Sequence, residues 1–350
     1  MKKNFIIVLL LFLGAFLYQG CLKDNITTSP AFTANDSAEL LFYLEDEGDY
    51  INSDQMPSII SADDVHSNTG NYLLLDIRAE NQFAAGHVSE AINVQHADLI
   101  NFLDSTESST YNKIVLISQN GQSSAFYTCL LRLYGYNNVY SMNYGMAAWN
   151  SAFSDEWLNA LQEDDSLFVL YSAFPSPKPP ISPLPAIELE GQSISEKVKR
   201  RIYDVSRTEF EDNLIVSEGD CTIDYIKFIH NLGDYFSICY GIPILYKDFI
   251  AGIAHPDGTV LYDPPPNGSE LRSTSALQSL PNNRTIVIYS TDGQLSAFAA
   301  AYLRVLGYNA KSILFGANTM FYYRLFGDAN LINEAFSQSK IRDYSYVTGN

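Results

Sequence analysis

The sequence predicts an α/β protein built on parallel β-sheets, and two observations indicate this class. Short, continuously apolar runs over residues 72–76 and 114–117 are typical of strands that are buried on both faces. Such runs alternate with segments of helical spacing, for example residues 123–133, which end at Gly135. Because strands and helices alternate along the chain, we expect parallel sheets that are covered by helices on both faces.

The chain of 350 residues is long enough for two domains, and its composition is that of a globular protein. Hydrophobic residues make up 47% of the chain and charged residues 17%, which excludes wholesale disorder. The formal net charge of −19 repels the phosphates of nucleic acids and the head groups of anionic lipids. We therefore expect no nucleic-acid partner.

The N-terminal segment resembles an export signal rather than part of the fold. Two lysines precede an apolar run over residues 5–18, which is shorter than the roughly 20 residues of a membrane-spanning helix. The run is followed by Gly20 and Cys21, a pair that resembles the lipobox of bacterial lipoproteins. This pattern predicts a signal peptide over residues 1–20 and an exported protein that lipid on Cys21 anchors to a bacterial membrane, on its periplasmic or surface side. An ordinary signal peptide with a chance cysteine is the alternative.

The remainder of the chain divides into five predicted segments. They are a tether with a short acidic helix over residues 21–55 (the helix at 38–52), a first domain over 56–155, a proline-rich linker with a helical connection over 156–220, a second domain over 221–335, and a C-terminal tail over 336–350.

An internal repeat supports two similar domains. Residues 118–126, SQNGQSSAF, match residues 290–298, STDGQLSAF, at an offset of 172 residues that is kept as far as residue 137. Each copy follows an apolar run. The repeat predicts that Ser118 and Ser290 each begin a loop between a strand and a helix.

The first repeat resembles the rhodanese family through a series of ordered motifs. They are Leu75-Asp76-Ile77-Arg78, Gly86-His87, Ala91-Ile92-Asn93, the loop at 118–124, Gly135-Tyr136, Gly145-Met146 and Trp149. These motifs cover about residues 56–152, whereas the second repeat resembles the family only in its latter half. The resemblance implies two rhodanese-like domains. Within the first, we interpret Asp76, Arg78 and His87 as structural residues that steady the loop and a nearby turn.

The resemblance also implies where the chemistry would take place. Rhodanese chemistry needs a cysteine at the start of the loop, because its thiolate holds the transferred sulfur as a persulfide, and the family pattern adds an arginine two residues after the loop glycine. Here the cysteine position is occupied by Ser118 and Ser290, and the arginine position by Ser123 and Leu295. A serine hydroxyl is scarcely ionised and cannot store sulfur, so we expect no catalytic residue at these positions.

We expect the two loops to serve recognition instead. A loop that opens onto a helix N-terminus presents backbone N–H donors whatever its side chains are. Without the arginine, a neutral polar ligand or a partner's backbone fits such a loop better than an anion. The predicted binding residues are Ser118, Gln119, Asn120, Gly121 and Gln122 in the first loop and Ser290, Thr291, Asp292, Gly293 and Gln294 in the second. Loops that decayed from an active ancestor are the alternative.

The sequence thus predicts a catalytically inactive, rhodanese-like lipoprotein of the bacterial cell envelope that acts as a binding or interaction module. We expect its partner to be an envelope protein or a small neutral polar ligand, and we expect no cofactor and no metal, since the chain has no CxxC pair. A sulfur carrier that uses Cys221 or Cys239 is one alternative. A serine hydrolase at Ser123 is another, although His230 and His255 fall in the other predicted domain.

Overall fold

The computed structural model describes residues 35–161, 163–213, 216–247, 255–266 and 268–349. The predicted signal peptide over residues 1–20, Cys21 and the tether as far as residue 34 lie outside these ranges. Within them, no helix has both the length and the apolar character needed to cross a membrane. The fold lies within the compact unit Phe32–Asn350.

Two parallel β-sheets organise this unit, which confirms the predicted fold class. The first sheet contains β1 (Ile59–Ile60), β2 (Tyr72–Asp76), β3 (Ile92–Asn93), β4 (Lys113–Ile117) and β5 (Val139–Met142), in the spatial order β1-β5-β4-β2-β3. A separate antiparallel pair joins β6 (Tyr171–Ser172) to β9 (His255–Pro256). The second sheet contains β7 (Thr222–Ile223), β8 (Tyr235–Tyr240), β10 (Val260–Tyr262), β11 (Thr285–Tyr289) and β12 (Ala310–Ile313), in the order β7-β12-β11-β8-β10. Equivalent strands take equivalent places, so the two sheets share one topology.

Helices cover the sheets. They are α1 (Asp36–Asp46), α2 (Ala62–Ser67), α3 (Glu80–Ala85), α4 (Leu99–Ser105), α5 (Gln122–Tyr134), α6 (Met146–Trp149), α7 (Asp155–Ala160), α8 (Ile194–Ser206), α9 (Tyr225–Ile229), α10 (Pro243–Tyr246), α11 (Gln294–Val305), α12 (Tyr322–Leu325) and α13 (Ala329–Glu334). The acidic helix predicted over residues 38–52 is shorter than expected, because α1 ends at Asp46 and Gly48 adopts a positive φ of 110°. A separate 3₁₀ turn, Tyr50–Asn52, follows it.

The core is continuous from one sheet to the other. Helix α5 packs on β4 and β5, helix α11 packs on β11 and β12, and the two helices pack on each other. One cluster of buried apolar side chains therefore includes Leu116 and Phe126 from the first sheet and its helix, and Phe298 and Ile288 from the second. Because α5 is buried between layers, nearly its whole circumference is inaccessible to solvent.

The C-terminal residues 342–347 form an extended strap along the first sheet's helices. The backbone N–H of Tyr344 donates to the carbonyl of Trp149 at 2.9 Å, and the indole N–H of Trp149 donates to the carbonyl of Ser345 at 2.9 Å. Val347 forms an isolated antiparallel bridge with His87. The segment predicted as a tail thus contacts the part of the chain around the first sheet through its residues 342–349.

Candidate functional site

The two repeated loops lie at equivalent places in the two sheets, as the repeat predicted. Ser118 follows β4 and its loop leads into α5, while Ser290 follows β11 and its loop leads into α11. Each loop ends at a glycine in the left-handed region, Gly121 at a φ of 88° and Gly293 at 81°. Glycine is favoured at both positions because any other residue would be strained at such a φ.

The hydroxyl of Ser118 is used inside its own loop. Its Oγ accepts a hydrogen bond from the N–H of Gly121 at 3.0 Å and donates to Ser124 Oγ at 3.0 Å. Ser124 Oγ lies 2.8 Å from Ser141 Oγ on β5, which extends the network into the sheet. All three serines are buried. The predicted binding residue Ser118 therefore satisfies the loop's polar groups and does not face solvent.

The second loop repeats this hydroxyl network. Ser290 Oγ accepts hydrogen bonds from the N–H groups of Gly293 and Ser296, each at 3.1 Å. Ser296 Oγ lies 2.7 Å from Ser312 Oγ on β12. The same three positions thus carry serine in both copies, and each set joins a loop, a helix and a strand.

The glutamines that were predicted to bind a ligand instead connect the two loops to each other. Gln122 Oε1 accepts a hydrogen bond from the N–H of Phe315 at 2.7 Å, and Gln294 Oε1 accepts one from the N–H of Tyr144 at 3.1 Å. Gln294 Nε2 also donates to Asn143 Oδ1 at 2.8 Å. Both side chains have no exposed surface in this arrangement. The loops of the two copies face one another, and each glutamine serves the opposite copy.

A cavity of about 300 Å³ opens beside the first loop. Arg78 contributes to it from the end of β2, Gln119 and Ser123 from the loop and the start of α5, and Glu156 from α7. Glu209 and Asp212 reach it from the segment that follows α8. Residues 207–213 therefore fold back over the loop, although the sequence places them in a linker.

Asp212 occupies the mouth of the first loop. Ser123 Oγ donates to its carboxylate at 2.5 Å, and Asn120 Nδ2 donates to its backbone carbonyl at 2.5 Å. Burial raises the pKa of Asp212 to about 6, and burial together with the charge of Asp212 raises the pKa of Glu156 to about 7. The mouth of the first loop thus carries carboxyl groups.

The guanidinium of Arg78 is held by Asp76 and by the backbone of Gly86. It forms a buried salt bridge with Asp76, with Nη2 2.6 Å from Oδ2, and the same Nη2 donates to the carbonyl of Gly86 at 2.7 Å. His87 Nδ1 lies 2.9 Å from the carbonyl of Phe83, on whose ring the imidazole stacks. These contacts tie the end of β2 to the turn after α3.

Two acids, Asp292 and Glu334, lie beside the second loop. Asp292 Oδ1 accepts from the N–H of Gln294 at 3.0 Å, and Thr291 Oγ1 donates to Glu334 Oε2 at 2.6 Å. Burial raises the pKa of Asp292 to about 6 and also raises that of Glu334. Leu295, at the arginine position of the family, packs against the apolar core. The second loop thus carries an acid, Asp292, at the position that Asn120 holds in the first.

The remaining nucleophile candidates are remote or enclosed. Cys129, Cys221 and Cys239 are buried free thiols, and burial raises the pKa of Cys221 and of Cys239 to about 12. A cysteine with such a pKa forms hardly any thiolate near neutral pH. Among the described residues, no group of three or more His, Cys, Asp or Glu side chains could hold a metal ion.

The sequence did not predict that His96 lies near Ser123. His96 lines the same cavity as Ser123, but its ring stacks on Tyr127, with ring centroids 5.0 Å apart, and burial lowers its pKa. The hydroxyl of Ser123 donates to Asp212 instead. The acids Glu156, Glu209 and Asp212 were missed as well. No local pattern marks them, because Glu156 lies on α7, and Glu209 and Asp212 reach the loop only through the return of the chain after α8.

Comparison with known proteins points to one family. The rhodanese-like domain family matches residues 61–152. The thiosulfate sulfurtransferase GlpE of Pseudoalteromonas translucida is 30% identical over 84 residues, which are 24% of this chain and 78% of that protein. GlpE of Shewanella oneidensis is 30% identical over 79 residues, which are 23% of this chain and 76% of that protein.

Two solved structures are also similar in part. A rhodanese-related protein of Thermoplasma volcanium has 24% identity and a TM-score of 0.24, with 28% of this chain and 90% of that chain covered. A thiosulfate sulfurtransferase of Pseudomonas aeruginosa has 12% identity and a TM-score of 0.25, with 91% of this chain and 70% of that chain covered. The motifs between Asp76 and Trp149 lie within the matched residues 61–152, and through this region the chain belongs to the rhodanese-like family.

Proposed function

We propose that this protein is a rhodanese-like binding module that does not transfer sulfur. The observation that carries the proposal is the position of Ser118: its hydroxyl is buried and hydrogen-bonded to Gly121 and Ser124. A persulfide carrier needs a thiolate that a donor molecule can reach. In this loop neither the thiolate nor the access is present, and the second loop repeats the arrangement at Ser290.

We further propose that the two sheets are tandem rhodanese-like domains, over residues 56–155 and 221–335. Three features support this: the equivalent strand order, the repeated loop and the serine network that both copies share. The second copy would then be the more diverged, because Cys239 and Gly241 stand at the places that Asp76 and Arg78 hold in the first.

The ligand site that the geometry supports best is the cavity beside the first loop. Its lining includes polar groups from four separate parts of the chain, as a site for a small polar molecule requires. Gln119 and Ser123 are the predicted loop residues that line it, whereas Ser118 and the two glutamines Gln122 and Gln294 do not. Binding by an envelope protein partner at the same mouth is the other form that this function could take.

We also propose that the protein is exported and held at a bacterial membrane by lipid on Cys21. The support is the sequence of the first 21 residues, in which two lysines and a short apolar run precede Gly20-Cys21. Fractionation of cells that express the wild type and Cys21→Ala tests this proposal. We expect the wild type in the membrane fraction and the variant in the soluble exported fraction. Equal distribution of the two proteins would contradict the anchor.

Sulfur transfer from thiosulfate to cyanide is the assay that separates the proposal from its enzymatic alternatives. We expect the wild type to show no rate above the uncatalysed reaction, with the Pseudoalteromonas GlpE as the positive control. A wild-type rate that disappears after thiol alkylation, or in Cys221→Ser or Cys239→Ser, would establish a sulfur carrier and reject the proposal. Hydrolysis of ester substrates that is lost in Ser123→Ala would reject it in favour of the hydrolase alternative.

Binding itself is tested with a library of small polar metabolites that includes neutral, anionic and cationic members. The indole N–H of Trp157 donates to the carbonyl of Asn120 at 3.0 Å, so its NMR signal reports on the first loop. The chain has two tryptophans, and Trp149→Phe assigns the remaining indole signal to Trp157. We expect at least one member to shift that signal saturably. A library without any such member would contradict the proposed small-molecule site.

A further inference from the structure

We propose that the cavity beside the first loop selects a small organic cation, with an ammonium or guanidinium head group, and not the neutral ligand that the sequence predicted. This inference rests on the proposed function, because it specifies the ligand class of the same cavity. It departs from the chemistry of the family, whose loop holds anionic sulfur.

The charges around the cavity are unbalanced in favour of acids. Glu156, Glu209 and Asp212 line it, and Arg78 is the only lysine or arginine among its described lining residues. The guanidinium of Arg78 is already paired with Asp76, which is fully buried. The charge of Arg78 also acts on Asp212, but its effect on the pKa of that carboxyl is smaller than the effect of burial. An incoming cation would supply the positive charge that is still missing.

Glu156 carries an independent sign of a missing donor. Its Oε2 atom is inaccessible to solvent and has no hydrogen-bond partner among the described residues. A carboxylate oxygen that has lost water and gained no donor is unfavourable, so buried oxygens of this kind are almost always paired. The neighbouring carboxyl of Asp212 adds repulsion to this cost. An ammonium or guanidinium group placed between the two would donate to both.

The other walls of the cavity also suit an organic cation. Tyr127 and Phe210 contribute aromatic rings, and aromatic faces attract organic cations electrostatically. Gln82 and Gln95 offer further donors and acceptors for the remainder of the ligand. A metal ion fits the lining less well, since no group of three potential ligands converges among the described residues. The volume of about 300 Å³ accommodates a small molecule.

Four probes that share one carbon chain isolate the effect of charge: n-butylammonium, n-butylguanidinium, n-butanol and butyrate. Each is titrated at pH 8 and constant ionic strength into the full-length protein, with the Trp157 indole signal as the readout. We expect saturable shifts with the two cations and none with butanol or butyrate. Glu156→Gln and Asp212→Asn, which keep the shape of the side chains, should each weaken cation binding by about tenfold. Asp54→Asn, on an exposed turn, is the matched control and should leave it unchanged.

The outcomes separate this inference from the proposed function. If butanol or butyrate binds as well as the cations, or if both carboxamide variants keep wild-type affinity, the cation inference is overturned while the cavity remains a binding site. If the cations fail but a neutral or anionic member of the metabolite library binds, the inference alone is overturned. If neither the cations nor any library member binds, both the inference and the proposed small-molecule site are rejected.

Discussion

The hydroxyl of Ser118 is engaged inside the first loop. A hydroxyl donates one strong hydrogen bond and accepts others, which suits the N–H of Gly121 and the oxygen of Ser124. A thiol is larger and donates weakly. Serine at this position therefore stabilises the loop in a way that cysteine could not. The same contacts at Ser290 indicate that the role is shared by both copies.

The glutamines give the first prediction at this scale. Gln122→Ala and Gln294→Ala each remove the acceptor of a buried backbone N–H, that of Phe315 or of Tyr144. We expect each substitution to lower the free energy of unfolding by about 1–3 kcal/mol, measured by urea denaturation. Gln192→Ala, at an exposed position, should change it by less than about 0.5 kcal/mol. Unchanged stability in both buried variants would mean that the two loops do not depend on these bonds.

Single residues also show how far sequence reasoning extends. The pairing of Asp76 with Arg78 was accessible, because both partners belong to one local motif. The role of Gln122 could not be predicted, because its Oε1 accepts a hydrogen bond from Phe315, which is 193 positions away in the sequence. The repeat revealed that two loops are alike. It held no information that they face one another across the molecule.

At the scale of elements, apolar patterning predicted the strands and the long helices. It did not predict the two segments that fold back onto the first sheet's part of the chain, which are the residues after α8 and the C-terminal strap. Strand β2 spans Tyr72–Asp76, as the apolar run predicted, and helix α5 extends the predicted segment by one residue at each end. By contrast, the acids after α8 and the C-terminal strap have no periodic pattern. Their positions are set by hydrogen bonds to distant carbonyls and by ring stacking, which a local pattern does not encode.

The strap gives a prediction at this scale. Its Tyr344 ring stacks on His66 at 3.8 Å, and its backbone bonds both Ala148 and Trp149. Truncation after Ile341 removes these contacts, and we expect the Tm to fall by about 5 °C or more. We also expect the fluorescence of Trp149 to shift to longer wavelength, because its indole loses the carbonyl of Ser345. Truncation after Val347 keeps the strap and serves as the control. Equal melting of the two truncated proteins would show that the strap adds no stability.

For the molecule as a whole, the packing of α5 on α11 makes one core out of two sheets. The buried apolar cluster passes through both helices without a break. The serine networks lie beside the two loops, at the N-terminal ends of α5 and α11. The same ends carry Gln122 and Gln294, each of which is hydrogen-bonded to the opposite copy. Direct hydrogen bonds from Gln122 to Phe315 and from Gln294 to Tyr144 therefore connect each loop to the backbone of the opposite copy. This arrangement favours unfolding of both sheets in a single cooperative transition.

The partly buried acids at the two loops, Asp212 and Asp292, make the stability of the whole molecule depend on pH. The folded protein raises the pKa of Asp212 and of Asp292 from 3.8 to about 6, chiefly through burial. The folded state therefore binds more protons than the unfolded state between about pH 4 and pH 7, and stability decreases as pH rises through this window. Below the unfolded pKa both states are protonated and the cost disappears.

Glu156, whose pKa is raised to about 7, adds to the effect of the two aspartates. We expect the free energy of unfolding to be lower at pH 8 than at pH 5 by about 3 kcal/mol or more, measured by urea denaturation at constant ionic strength. Asp212→Asn keeps the acceptor for Ser123 and removes the charge. It should therefore stabilise the protein at pH 8 more than at pH 5, and so reduce the difference between the two pH values by about 1 kcal/mol or more. Asp54→Asn should leave the difference as it is in the wild type, because that side chain is exposed.

Stability that rises from pH 5 to pH 8, or an Asp212→Asn protein with the wild-type dependence, would mean that the carboxyl of Asp212 is already compensated in the folded state. The electrostatic basis of the cation inference would then be lost as well, since a compensated carboxyl has no need of an incoming positive charge.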